Sequence, residues 1–509
     1  MSSLSKHLDA LTVEQIQGIS RGIEKESLRT TPLGALAHTP HPQRLGSALT
    51  NPHITTDFSE SQVELVTGVH RQVDACLNEL QQIHQFVYQS IGQELLWSCS
   101  MPSALPADDD IPVGHYGRSN IGQAKRIYRM GLSHRYGRRM QTISGIHYNW
   151  SMPGLSNDQY FALIRNFRRQ SFLLLVLFGA SPAVATDFVT EEARQRHGLQ
   201  AWGRDTLYLP HATSLRMGRL GYQSDAQSAL AVSYNCLEGY ASSLHQALTQ
   251  SYAPYESIGI QGPDGDYRQL STSLLQIENE FYSSIRPKRV IQTGERPLHA
   301  LRARGVEYVE VRCMDLNPFL PMGIDGPTVR LLDTFLLHCL MSDSPPDTPD
   351  EIAALSRNQQ LVATRGREPG LMLERQGQTT SLQDWATDIL RECLPIAARL
   401  DSVNDSQSHS EAVANALDVL RDPGRLPSAR VLDAFESSDQ PLGFLDFGLA
   451  RSEANRALIT SSDLPARALH RFEREAAASL AEQAVMEARD ATTFEAFRQH
   501  YVCADRLAP

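Results

Sequence analysis

The chain reads as an α+β protein, with a mainly antiparallel sheet in its first two-thirds, flanking helices, and a mostly helical C-terminal part. Three observations predict this. QVELV (Gln62 to Val66), GIHYNW (Gly145 to Trp150) and VEYVEVR (Val306 to Arg312) combine β-branched or aromatic residues with a period of two. From Val73 to Phe86 the apolar side chains of VDACLNELQQIHQF recur every three or four residues, as on an amphipathic helix. After SDSPPDTPD (Ser342 to Asp350), a loop composition, the pattern turns mostly helical. The expected organisation is a sheet-and-helix core over residues 1–341, with residues 342–509 packed on it as one globular unit.

Taken in order, the first strand candidate is RGIEKESLR, residues 21–29. In an extended strand, positions i and i+2 share a face. Glu24 and Glu26 therefore project together, and Ile23 and Lys25 point the other way, which removes Lys25 from any site the acids build. ITTDFSE follows with Asp57 and Glu60, and then QVELV, where Glu64 shares a face with Gln62 and Val66. On GIHYNW, His147 and Asn149 oppose Ile146, Tyr148 and Trp150. The run FLLLVLFGASPAVA, Phe172 to Ala185, is shorter than the about 20 residues of a membrane span and is broken by Gly179, Ser181 and Pro182. It reads as a buried core element. On VEYVEVR, Tyr308, Glu310 and Arg312 oppose Val309 and Val311. Near the end, Asp463 is the expected N-cap of a helix with Pro465 in its first turn and a Leu469, Phe472, Ala476, Leu480 stripe.

The 509 residues carry Lys+Arg 47 against Asp+Glu 58, a net charge of −11, which argues against nucleic acid or an anionic membrane as partner. The seven cysteines are scattered, with no C-x-x-C pair, as in a chain kept in a reducing compartment. The N-terminal MSSLSKHLDALT has no apolar signal core. A cytoplasmic protein and a monomer are expected.

Each strand candidate carries an ionisable group on its polar face. Taken singly, each such face is explained by solvation. Together they form an acidic cluster with one histidine and little basic admixture. Clustered carboxylates repel unless a cation neutralises them, and oxygen-rich donor sets favour Mg²⁺, Mn²⁺ or Ca²⁺ over zinc. Arginines and a lysine collect separately in RYGRRMQ, TSLRMGRLGY and SSIRPKR, a chemistry suited to carboxylates and phosphates. Arg138, Arg139, Arg289 and the acids Asp108 to Asp110 read as solvated. Glycine-rich phosphate loops, H-E-x-x-H and G-x-S-x-G are absent. The residues thus support a Mg²⁺-dependent phosphoryl-transfer site without specifying its substrate.

RGIEKESLR, GSALTNPHITTDFSESQVELVT, YRMGLSHRYGRRMQTISGIHYNW, FGASPAV, LPHATSLRMGRLGY, LQIENEFYSSIRPKR and GVEYVEVRCMDLNPF resemble, in order, the bacterial glutamate–cysteine ligases of the γ-proteobacterial type. RNQQLVATRGREPGL is a weaker echo. The resemblance implies a curved, mainly antiparallel sheet forming a funnel, related to glutamine synthetase. It implies ATP-dependent joining of the L-glutamate γ-carboxylate to the L-cysteine amine through γ-glutamyl phosphate, the first step of glutathione biosynthesis. By motif, the metal ligands for Mg²⁺ (or Mn²⁺) would be Glu24, Glu26, Asp57, Glu64, His147 and Glu310. Arg216 and Arg312 match arginines that contact substrate carboxylate and phosphate, giving Glu310, Arg312 and Arg216 as the catalytic set. The cysteine pocket would comprise Phe58, Tyr128, Leu132, Gln141, Arg216, Tyr222 and Tyr282. TSLRMGRLGY and YRMGLSHRYG depart from the family pattern between their anchor positions. Glu60 and Glu280 are expected to be structural. A carboxylate–amine ligase using a different amine, a Mg²⁺-dependent phosphohydrolase and an amino-acid sensor are the competing readings.

Overall fold

The computed structural model describes residues 3–221, 225–228, 230–292, 294–436 and 442–508. Its main sheet is built from Ser20–Thr30 (β1), Ile54–Thr56 (β2), Gln62–Val66 (β3), Leu95–Leu96 (β4), Ile146–Ser151 (β5), Ile285–Lys288 (β9) and Tyr308–Met314 (β10). The order is β2-β3-β1-β5-β10-β9, every neighbouring pair is antiparallel, and β4 extends the end of β1. A smaller antiparallel sheet joins Ala183–Ala185 (β6), Gln200–Trp202 (β7) and Thr206–Tyr208 (β8). Met372–Arg375 (β11) and Gln378–Ser381 (β12) form a hairpin inside the part expected to be helical.

One face of the main sheet is apolar. Ile23, Val63, Leu65, Tyr148, Trp150, Val309 and Val311 are fully buried there, in one cluster with Cys76, Leu80 and Ile83 of the Val73–Tyr88 helix. Burial of side chains of this size stabilises by roughly 1.5–3 kcal/mol each. That face also holds paired polar groups. Arg21 lies 3.0 Å from Asp333 of the Gly326–Met341 helix, and the Tyr148 hydroxyl donates to Asp333 at 2.6 Å. Lys25 points to this side as its strand position requires, with Nζ 2.8 Å from His84 Nε2. Burial lowers the Lys25 ammonium to about 7.

The apolar run at Phe172 is a helix, Phe172–Phe178, followed after Gly179 by β6. It is buried within the protein, where the Phe172 ring packs 4.5 Å from Trp385 of the Leu382–Asn404 helix. The last long helix runs Ala466–Arg489, and its N-cap is Pro465, not Asp463. Pro465 has an extended ψ of 134°, and its carbonyl accepts the Ala468 and Leu469 amides, so the proline ends the loop instead of entering the first turn. Phe472 and Ala476 of the expected stripe are buried. Among the described residues, no helix is long and apolar enough to cross a membrane.

Candidate active site

Strand register brings the acids together. Across the β1–β3 pair Glu26 stands opposite Glu64, and across β1–β5 Glu24 stands opposite His147. Across β5–β10 Asn149 stands opposite Glu310, and across β10–β9 Glu310 stands opposite Arg286 and Tyr308 opposite Lys288. Directly opposed residues share a face. These side chains therefore form one wall, and Glu24, Glu26, Glu64, His147, Arg286, Lys288 and Glu310 of it line a cavity of about 550 Å³ together with Asp57 and Arg312. All six acid and histidine positions expected as metal ligands lie on it. Ligand atoms of Glu24, Glu64 and His147 converge within 4.8 Å of one another, a spacing one cation could bridge.

Charge is unevenly distributed along the wall. His147 Nδ1 lies 3.2 Å from a Glu24 oxygen and its Nε2 lies 3.7 Å from Glu26. Glu24 also accepts Asn149 Nδ2 at 2.8 Å, and Glu26 accepts the Gly145 amide at 2.8 Å. Burial and the Asp57 carboxylate push Glu26 up to about 8. Burial and the neighbouring Glu24, Asp57 and Glu26 hold Glu64 well above the carboxylate range. Glu310 goes the other way. Burial would raise it, but Lys288, Arg312, His147 and Arg286 together hold it well below the usual range. Its oxygens lie 3.2 Å from Lys288 Nζ, 3.0 Å from Arg312 and 3.9 Å from Arg286. The β1–β3 end is thus crowded with carboxylates and the β10–β9 end with cations.

Phe58, Tyr128, Leu132, Gln141 and Tyr282 line the same cavity, and Gln141 Nε2 donates to the Tyr282 hydroxyl at 3.0 Å. Tyr222 lies outside the described residues. Arg216 lines a second cavity of about 270 Å³, which meets the first along Arg312 and Tyr282. Arg216 is fixed on several sides. Its Nη2 donates to the Arg312 carbonyl at 3.0 Å, and Nη1 lies 3.6 Å from Asp315. Asp315 in turn accepts the Ala180 amide, the Ser181 hydroxyl and the Ser214 hydroxyl at 2.9–3.0 Å.

Several wall residues lack a local signal. Arg286 and Lys288 belong to a motif visible in the sequence, but only the β9–β10 register puts them beside Glu310. Glu482, Met486 and Tyr501, from helices near the C-terminus, line the same cavity with Ile121, Leu270 and Ile277. Arg296 anchors this edge, pairing with Glu278 at 2.8 Å and lying 4.8 Å over the Tyr501 ring. Glu280 is structural, paired with Arg135 at 2.9 Å, and Glu60 accepts the His41 and His115 amides. Asp108 is not merely solvated. It accepts the Arg138 and Arg139 amides at 2.9 Å, while those arginines' side chains reach backbone carbonyls, among them Ile111 and Pro106. Arg289, also expected to be solvated, donates to the Gly305 carbonyl at 3.0 Å.

Residues 4–362 match the family model described as glutamate–cysteine ligase. A glutamate–cysteine ligase of Pseudomonas fluorescens (strain Pf0-1) is 48% identical over 94% of this chain and 92% of its own length. Another, from Janthinobacterium sp. (strain Marseille), is 46% identical over 94% of this chain and 93% of its own. A crystal structure of the Francisella tularensis glutamate–cysteine ligase in complex with AMP superposes with a TM-score of 0.90 at 36% identity, covering 95% of this chain and 97% of that one. A bifunctional glutathione synthetase from Pasteurella multocida aligns at TM-score 0.68 and 25% identity, over 90% of this chain and 55% of that one. With its match over most of its length and its relatives this similar, the chain belongs to the glutamate–cysteine ligase family.

Proposed function

We propose that this chain joins the γ-carboxylate of L-glutamate to the amine of L-cysteine, using ATP and releasing ADP and phosphate, as the first step of glutathione biosynthesis. The observation that carries the reading, beside family membership, is the divided wall. A carboxylate-rich patch at β1 and β3 adjoins a cation-rich patch at β10 and β9 inside one cavity. Such a surface suits an anionic triphosphate delivered with divalent cations.

A carboxylate acylates poorly, so the glutamate γ-carboxylate first takes the γ-phosphoryl group of ATP. The cysteine amine then attacks the γ-glutamyl phosphate, the C–O bond to phosphate breaks as the C–N bond forms, and the amine's proton passes to a wall carboxylate or to the departing phosphate. Glu24, Glu26, Asp57, Glu64, His147 and Glu310 would hold Mg²⁺ or Mn²⁺, whose donor preference their oxygens and single imidazole fit. When bound, the cations neutralise charge on the triphosphate and on the phosphoryl group in transfer. Arg312 orients phosphate oxygens, and Arg216, whose Nη2 holds the Arg312 carbonyl, lends positive charge to the substrate carboxylate from the adjoining cavity. Phe58, Tyr128, Leu132, Gln141 and Tyr282 enclose the short thiol side chain. The apolar lining at Ile121, Leu270, Ile277, Met486 and Tyr501 takes the nucleotide base.

A coupled ADP-release assay with glutamate and ATP, with cysteine or a panel of other amines, tests the reading. ADP release should depend on cysteine and yield γ-glutamylcysteine. Faster product formation with a different amine, or ATP turnover without any amino acid, would overturn it.

A further inference from the structure

Several cations border the main cavity, and most are already committed to protein acceptors. Arg286 donates to the Asn279 carbonyl at 2.9 Å and to that of Phe281. Arg129 donates to the carbonyls of Asp57 and Lys125. Lys125 lies 5.3 Å over the Tyr116 ring. Arg312 meets both Glu310 and His147 through Nη1 alone, which leaves its other guanidinium donors for a ligand.

Lys288 differs from these. Its side chain is 25% exposed, and Glu310, at 3.2 Å, is its one ion-pair partner among the described residues. An ammonium carries three N–H donors, so most of its donor capacity faces the cavity. Its position on β9, opposite Tyr308 and two residues from Arg286, aims it along the cation-rich end of the wall. Glu310, with Lys288, Arg312 and Arg286 all within 4.0 Å, cannot neutralise the three. The cations gathered at this end of the wall are suited to an oligophosphate, and Lys288, with one ion-pair partner, can reach it beside the unengaged donors of Arg312.

We propose that Lys288 binds the terminal phosphates of ATP, and that it competes with a divalent cation for the Glu310 carboxylate. The proposal rests on the metal-and-ATP reading of this cavity. It predicts effects of opposite sign. Removing the ammonium favours a bare cation, because a positive charge beside the acids is lost, and disfavours the triphosphate, because a charge-assisted donor is lost.

Full-length wild type, Lys288→Gln and Lys288→Arg are compared without turnover. The readouts are affinities for Mn²⁺ alone, for Mn²⁺ with the β,γ-imido analogue of ATP, and for AMP. Lys288→Gln should tighten Mn²⁺ about threefold and weaken the triphosphate analogue about tenfold or more, leaving AMP within about twofold. Lys288→Arg should restore triphosphate binding. Should the Gln variant not fold, Lys288→Met decides by the same affinities. Weakening of Mn²⁺ and triphosphate together marks a structural lysine, and an unchanged triphosphate affinity overturns the assignment. If wild type itself binds neither Mn²⁺ nor the analogue, the underlying metal-and-ATP reading fails instead.

Discussion

Glu26 and Glu64 stand directly opposite one another across the β1–β3 pair, two carboxylates on the cavity face with no basic residue between them in the register. Like charges so placed destabilise a sheet by a few tenths of a kcal/mol or more. Glu64→Gln should raise the melting temperature measured in EDTA, because the neutral amide spares the folded state the cost of keeping a buried carboxyl either charged beside Glu26 or protonated above its ordinary range. The same variant should lower Mg²⁺-dependent ligation by about 100-fold, since a proposed ligand is lost. Wild-type turnover with a lowered melting temperature would contradict the placement of Glu64 at a cation site.

Arg216 is held between Gly145 and Asp315. A Cβ on Gly145 would lie 2.0 Å from Arg216 Nη2, so Gly145→Ala must push the guanidinium aside. The expected outcome is a raised KM for the amino-acid substrates, with a stability loss of about 1–3 kcal/mol from overpacking. Asp315→Ala removes the charge that compensates a buried arginine and should cost about 3 kcal/mol or more in urea unfolding. Unchanged amino-acid KM values in a folded Gly145→Ala protein would remove Arg216 from the substrate site.

Tyr501 lines the cavity with Arg296 against its ring. If the nucleotide base packs there, Tyr501→Ala should raise the KM for ATP by about tenfold, the scale of one lost base–aromatic contact. The KM for cysteine should not move. Steady-state kinetics with each substrate varied separately distinguish the two, and an equal rise in both would place the base elsewhere.

Asp401 caps the Ser408–Arg421 helix, accepting the His409 and Ser410 amides at 3.0 and 2.9 Å. Burial would raise its pKa, but hydrogen bonds from Ser410 and His409 bring it down to about 2. The folded value lies below the unfolded value of about 4, so the unfolded state binds protons first as pH falls. The contribution, about 2 kcal/mol, is complete above pH ~4 and is lost between pH ~4 and ~2. Urea midpoints of wild type and Asp401→Asn should differ at pH 7, the difference should be about halved near pH 3, and they should converge only as the pH approaches 2. A difference that stays constant with pH would refute the cap.

Much of the site was legible because side-chain direction in a strand has a fixed period. Alternation alone placed Glu24 with Glu26, His147 with Asn149 and Glu310 with Arg312, and sent Lys25 to the opposite face, where it meets His84. The strands β1, β3, β5 and β10 and the helix from Val73 followed from composition and period in the same way, whereas β9, the β6–β8 sheet and the β11–β12 hairpin carried no such reading and the last long helix starts past Pro465. Those local readings hold because backbone geometry and the need to bury one face act within a few residues. Strand order and register belong to the tertiary structure. Only they set Glu24 beside His147 and Glu310 beside Lys288, and only packing brings Met486 and Tyr501 to the cavity that Glu24 lines. Contacts between residues hundreds of positions apart are selected by burial and charge across the whole chain, which no short stretch of sequence contains.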